Sequence, residues 1–217
     1  MNEVETIQAK DFVIKVREPQ GDGSHPVSLL LHGWTGDENS MWVFGSQLPQ
    51  NHLLIAPRGP YVSRNQKYGG YSWIESSSGN YPWFEDFQPI LPVLNDLLDE
   101  LSKRYEGDFS KINLAGFSQG AALAYIFTLL NPERVGKLAG LAGFLPEHSE
   151  GVIKTRPIEG MPVFMAHGIQ DEIVPLSMAY EAMDNLVQAG AAVSLCESDV
   201  GHKLGSECFK AFCEFMS

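Results

Sequence analysis

The chain has 217 residues, 44% of them hydrophobic, which is enough apolar surface for one continuous core. Its 15 basic and 27 acidic side chains leave a formal charge of −12, which repels phosphate backbones and anionic membrane surfaces and argues against a nucleic-acid partner. Met1 to Lys10 mixes Glu and Lys without the basic start and apolar run of a secretory leader, and no stretch reaches the roughly 18 apolar residues of a membrane span, so the expectation is a cytoplasmic protein, one domain over residues 1–217, with no membrane span.

Short apolar or alternating runs predict strands at Phe12–Val16, Val27–Leu31, Leu53–Ala56, Ile112–Ala115, Leu138–Ala142, Val163–Ala166 and Ala192–Leu195. Continuous runs of this length suit strands buried on both faces. Helical spacing lies between them at Ile90–Arg104, Gln119–Leu130, Ser177–Gln188 and Cys208–Met216; in the first, Leu91, Leu94, Leu97, Leu98 and Leu101 form one stripe. Strands alternating with helices imply an α/β fold, a mostly parallel central sheet with helices on both faces and chemistry at the carboxyl ends of the strands. Tyr61 to Phe84 breaks the alternation; its Gly, Ser and aromatic residues read as a long loop forming one wall of a binding pocket. Cys196, Cys208 and Cys213 are an odd number with no CxxC, so free buried thiols are expected. Neither HxH nor HExxH occurs, and no metal site is expected.

Gly116-Phe117-Ser118-Gln119-Gly120 joins a predicted strand to a predicted helix. A serine on so sharp a turn has strained backbone angles, and glycines two before and two after let neighbouring elements approach. Its hydroxyl needs a base, and the base needs a carboxylate to hold its tautomer. Asp171 and Glu172 lie in the loop after Val163–Ala166, His202 in the loop after Ala192–Leu195, and the order Ser, Asp, His is that of α/β-hydrolases. Asp171 is favoured over Glu172 because the shorter side chain suits a tight contact, and His167 is assigned a structural role. Trp34 N–H, in the turn after Leu31-His32-Gly33, and Gln119 N–H, at a helix N-terminus, are the expected oxyanion donors.

These segments resemble the phospholipase/carboxylesterase family of small α/β-hydrolases, which includes acyl-protein thioesterases. The matching residues are Leu31-His32-Gly33, Gly116-Phe117-Ser118-Gln119-Gly120-Ala121, His167-Gly168 with Asp171 and Val174-Pro175, and Gly201-His202. The resemblance implies an α/β-hydrolase fold without a large cap domain, no cofactor, and triad roles for Ser118, Asp171 and His202. The implied activity is hydrolysis of short- to medium-chain carboxylic esters, with acyl-protein or other thioesters and lysophospholipids as alternatives. Pro57-Arg58-Gly59-Pro60 and Gly70-Tyr71-Ser72-Trp73 resemble the family's substrate-side loop, which puts Trp73 at the acyl pocket, with Tyr71, Trp34, Phe144 and Leu145 as further substrate contacts. The early loop departs from the family's HGLGD by carrying Trp34-Thr35-Gly36-Asp37, a bulkier approach to the site. A binding module that keeps the triad without turnover is the rival of another class, and a homodimer through exposed aromatics is compatible with either.

Overall fold

A computed structural model describes residues 4–65 and 67–217. Ten strands and seven α-helices follow one another as β1 (Val4–Ala9), β2 (Phe12–Arg17), β3 (Pro26–Leu31), α1 (Trp42–Gly45), β4 (Leu53–Pro57), β5 (Tyr61–Val62), β6 (Tyr71–Ser72), α2 (Phe84–Phe87), α3 (Ile90–Leu101), β7 (Asp108–Phe117), α4 (Gln119–Leu130), β8 (Val135–Leu141), α5 (Glu150–Ile153), β9 (Pro162–Gly168), α6 (Leu176–Gln188), β10 (Ala192–Ser198) and α7 (Ser206–Met216). Eight strands form one sheet in the order β1-β2-β4-β3-β7-β8-β9-β10, while β5 and β6 pair separately as a small hairpin. Strands β4, β3 and β7 to β10 run parallel; β1 and β2 join antiparallel at one edge.

Side chains of the central strands alternate between two cores, as the two-residue period of a strand requires. Leu29, Ile55, Leu114 and Met165 face one side, under α3, α4 and α6. Leu30, Leu54, Ala115 and Phe164 face the other, under α7. Each fully buried aliphatic side chain contributes about 1.5–3 kcal/mol relative to exposure. Helix α4 is buried from Gln119 to Leu129, so its sequence is apolar on every side, whereas α3 buries only its leucine stripe.

Register brings the functional loops to one rim. Leu31 pairs with Gly116, Phe117 with Leu141, Leu141 with Ala166, and Gly168 with Ser198, so β3, β7, β8, β9 and β10 end side by side. Among the described residues no helix is long and apolar enough to cross a membrane.

Two expectations change. Val4–Ala9, read only as a non-secretory start, forms the edge strand β1; its alternate residues face solvent, so no apolar run marks it, and Met1–Glu3 of that reading lie outside the described residues. The cysteines are not all free. Helix α7 folds back along β10 and brings the Cα atoms of Cys196 and Cys208 to 5.6 Å, where a disulfide joins them, leaving Cys213 as the thiol. Spacing in sequence carries no sign of that approach, which depends on how the last helix packs.

Candidate active site

Ser118 sits between β7 and α4 with φ 52° and ψ −116°, a conformation costing a non-glycine residue on the order of 1–3 kcal/mol. Its neighbours hold it there: Ser118 N–H donates to Leu141 O at 2.8 Å, and Ser118 O accepts from Ala121 N–H at 2.9 Å and Ala122 N–H at 3.1 Å. The flanking glycines are sterically required. A Cβ on Gly116 would fall 2.1 Å from Gly120 O, and one on Gly120 would fall 2.2 Å from Leu31 O.

Asp171 leaves the end of β9 in a tight loop and is buried. Its Oδ1 accepts from Ile173 N–H and Val174 N–H, both at 2.9 Å, and its Oδ2 accepts from His202 Nδ1–H at 2.7 Å. That bond puts the His202 proton on Nδ1 and leaves Nε2 with a free lone pair. Glu172, next in sequence, is exposed. His167 donates from Nε2 to Val174 O at 2.8 Å and braces the loop that presents Asp171. The acid loop is laced to the His202 loop by Ile169 N–H to Ser198 O at 2.8 Å and Gln170 N–H to Val200 O at 3.0 Å. The His202 ring lies against Phe117, with centroids 5.0 Å apart. Among the described residues no hydrogen bond joins Ser118 Oγ to His202; such bonds are often long before a substrate is bound and tighten in its complex.

Neither Trp34 N–H nor Gln119 N–H is a donor in the backbone hydrogen bonds of the described residues. Gln119 opens α4, where the first amides have no partner within the helix. The Trp34 loop is built by long-range contacts. Thr35, at φ 70°, donates to Tyr71 O at 2.9 Å, and Tyr71 donates back to Gly36 O at 2.9 Å. Beneath it, His32 donates from Nδ1 to Gly33 O at 2.7 Å and accepts at Nε2 from Gly59 N–H at 2.8 Å, and burial lowers its pKa, so it serves as a neutral strut.

The 61–84 segment forms a wall with Tyr81 on the cavity, but Trp73 and Tyr71 lie elsewhere. Trp73 is fully buried: its Nε1–H donates to His32 O at 2.7 Å, and its backbone N–H donates to Gln119 Oε1 at 3.0 Å. An indole buried among β3, α4 and the hairpin gains more by satisfying its N–H inside than by facing a cavity. Tyr71 is likewise occupied, accepting from Arg58 Nη1 at 3.1 Å with that guanidinium 4.5 Å from its ring centroid. Leu145 packs on the core. Trp34 and Phe144, by contrast, do line the cavity of about 710 Å³ that opens on Ser118 and Gln119. Apolar Ile74, Tyr81, Ile173 and Val174 are also among its lining residues, together with polar ones such as Ser63, Arg64, Glu75 and Asn80.

Sequence reasoning missed the Glu38–Arg58 pair, a two-pronged contact at 2.6 and 2.9 Å that ties the Trp34 loop to the end of β4 and holds the Glu38 carboxyl below its usual range. A single arginine amid Pro57, Gly59 and Pro60, with no acid nearby in sequence, was the available signal. Ile173, 62% exposed beside Asp171, also lines the cavity, a placement that nothing in the local sequence marks. No cluster of three or more metal-ligating side chains occurs among the described residues.

A mostly parallel sheet whose strained elbow serine opens the central helix defines the α/β-hydrolase class. Solved structures share that fold: the Bacillus cereus carboxylesterase aligns with a TM-score of 0.82 at 22% identity over 94% of this chain and 93% of its own. The carboxylesterase of Mesorhizobium loti aligns with a TM-score of 0.81 at 19% identity over 98% of both chains. The chain itself belongs to the Phospholipase/Carboxylesterase family, whose model matches residues 13–217. Relatives include acyl-protein thioesterase 1 of Saccharomyces cerevisiae, 35% identical over 71% of this chain and 74% of that protein. The Kluyveromyces lactis protein of the same name is 30% identical over 72% of this chain and 74% of its own length.

Proposed function

We propose that this protein is a serine carboxylesterase in which Ser118 is the nucleophile, His202 the general base and Asp171 the carboxylate that orients it. The observation that carries this reading is the 2.7 Å bond from His202 Nδ1–H to buried Asp171, which leaves Nε2 as the basic atom in the loop beside the elbow serine. Ser118 Oγ attacks the acyl carbon as its proton passes to His202 Nε2, and the oxyanion is stabilised by Trp34 N–H and Gln119 N–H. His202 then protonates the departing group, and water removes the acyl group from Ser118 by the same steps in reverse roles.

The cavity of about 710 Å³, with Ile74, Tyr81 and Phe144 in its wall, suits a neutral apolar acyl group of short to medium length. A second reading, thioester hydrolysis, is favoured by the names of the yeast relatives, and thioesters pass through the same tetrahedral intermediates. The compartment bears on the disulfide: a reducing compartment such as the cytoplasm would hold Cys196 and Cys208 as thiols, and an oxidising one would keep the bond.

Hydrolysis of ester and thioester series by wild type and Ser118→Ala tests the assignment. Replacing the serine should lower kcat on the order of 10⁴-fold or more with the melting temperature little changed. A purified, folded Ser118→Ala protein keeping a tenth of wild-type turnover overturns it, as does a wild-type protein inert to every ester and thioester and to a fluorophosphonate.

A further inference from the structure

The two proposed oxyanion donors belong to separate segments, the loop after β3 and the start of α4, and one short stretch of chain is bonded to both. Tyr71 donates its N–H to Gly36 O and accepts from Thr35 N–H, each at 2.9 Å. The next two residues hold the other side. Trp73 N–H donates to Gln119 Oε1 at 3.0 Å, and Gln119 Nε2 donates to Ser72 Oγ at 3.1 Å. The Trp73 indole N–H returns to the first segment, donating to His32 O at 2.7 Å. Tyr71-Ser72-Trp73 is therefore a spacer between the two segments that carry Trp34 N–H and Gln119 N–H.

The aim of Trp34 N–H follows from its own peptide group. A trans peptide is planar, so its N–H points opposite to its C=O. Gly33 O is pinned by Gly36 N–H at 3.0 Å and by His32 Nδ1–H at 2.7 Å. Gly33 is also packed on the nucleophile, where a Cβ would fall 3.3 Å from Ser118 Cβ. A shift of Gly36 thus turns the Trp34 amide beside Ser118. Gly36 depends in turn on Tyr71, and Tyr71 on Arg58, whose guanidinium lies 4.5 Å from the tyrosine ring centroid and donates from Nη1 to its hydroxyl at 3.1 Å. The same guanidinium grips Glu38 from Nε at 2.6 Å and from Nη2 at 2.9 Å. The chain of contacts leaves the Trp34 loop at Glu38 and re-enters it at Thr35 and Gly36, so the loop is closed on itself through Arg58. Thr35, at φ 70°, adopts a left-handed backbone that a β-branched residue takes only where its surroundings impose it.

We infer that Arg58, gripped by Glu38, is a positioning residue for the oxyanion hole: through Tyr71 it fixes the separation and aim of the two amides. The inference rests on the serine-esterase reading and extends it to two side chains that lie outside the cavity wall.

Glu38→Gln sets an NH2 donor against a guanidinium N–H and opens the two-pronged contact, while Arg58→Lys keeps the charge but cannot grip Glu38 and Tyr71 together. Turnover of phenyl butyrate and inhibition by hexyl trifluoromethyl ketone are measured beside inhibition by the secondary alcohol obtained on reducing that ketone. Ser118 Oγ adds to the ketone carbon, its proton passes to His202 Nε2 and the carbonyl oxygen becomes an oxyanion; the alcohol has the same bulk and forms no such charge. Acylation and deacylation both pass through an oxyanion, so kcat reports on the hole whichever step limits. Glu38→Gln should lower kcat about a hundredfold and Arg58→Lys about tenfold, with KM within about twofold of wild type. The ketone Ki should rise by the same factors while the alcohol Ki stays as in wild type. Tyr71→Phe, which loses only the hydroxyl contact, should show the same pattern more weakly, and it decides the matter if thermal melts find neither of the other variants folded. Folded variants whose kcat and ketone Ki match wild type overturn the inference. So do variants in which KM and the alcohol Ki rise as far as the ketone Ki, because the pair then shapes the cavity instead of the hole. In both cases an inactive Ser118→Ala leaves the esterase reading standing; if hydrolysis does not require Ser118, that reading fails and this inference with it.

Discussion

Two adjacent carboxylates follow β9, and their different burial separates their proposed roles. Asp171 has both oxygens committed, Oδ1 to two backbone amides and Oδ2 to His202 Nδ1–H, while Glu172 points into solvent. In Asp171→Asn the carbonyl oxygen of the new amide would stay with the two N–H groups, turning its NH2 toward His202. The imidazole would then have to accept at Nδ1 and carry its proton on Nε2, where it can no longer take one from Ser118. Asp171→Asn should therefore lower kcat on the order of 10⁴-fold, as in other triads, whereas Glu172→Gln stays close to wild type. Steady-state kinetics of the pair check this; the opposite ranking would move the acid to Glu172. The same comparison of surroundings explains Trp73, whose indole N–H is satisfied by His32 O and whose ring lies 4.8 Å from the His32 ring, under the loop that carries the proposed oxyanion donor.

The elements that flank the proposed base are β10 and α7, which the Cys196–Cys208 bond staples on either side of the loop bearing His202. Closing a loop of 12 residues' separation stabilises the fold by about 3 kcal/mol through the entropy it removes from the unfolded chain. For a chain of this size that corresponds to a melting temperature lowered by roughly 6–12 °C on reduction. Alkylation gives an independent count: one thiol, Cys213, labelled in the denatured unreduced protein and all three after reduction. Three labelled thiols without reductant would show the pair unbonded in solution and remove the expected change in melting. The hairpin β5–β6 acts in a comparable way on the opposite loop, since Tyr71 exchanges backbone hydrogen bonds with Thr35 and Gly36 and Arg58 joins Tyr71 to Glu38.

Across the whole molecule, stability should fall on mild acidification because buried histidines, His52 and His32, are kept neutral, and His52 is the larger case. His52 is enclosed at the start of β4 beside Ser28 Oγ at 3.1 Å, and burial, helped by the nearby charges of Lys137 and Arg17, lowers its pKa to about 4. The folded protein therefore keeps His52 neutral at pH values where the unfolded chain, with an ordinary histidine pKa near 6.5, binds a proton. The stabilisation is complete above about pH 6.5 and is lost as pH falls toward about 4, by at most about 3 kcal/mol. Melting temperatures from pH 7 to pH 4.5 should decline more steeply in wild type than in His52→Gln. Parallel curves would place the titration on another group.

Much of this protein is legible in its sequence, for reasons of periodicity. Buried parallel strands must be short apolar runs, α4 must be apolar on all sides from Gln119 onward, and a serine between a strand and a helix needs glycine at positions 116 and 120, so fold class, elbow and the loops carrying Asp171 and His202 could be read directly. Edge strand β1 could not, because an exposed strand has no apolar run to announce it. Only the tertiary structure decided which way loop side chains point. The 61–84 segment has no repeating period, and its conformation is set by partners distant in sequence, as when Trp73 meets Gln119 46 residues later. The same holds for the disulfide and for the cavity beside Ser118: each exists only where separate segments converge, and convergence is a property of packing that local patterns of residues do not encode.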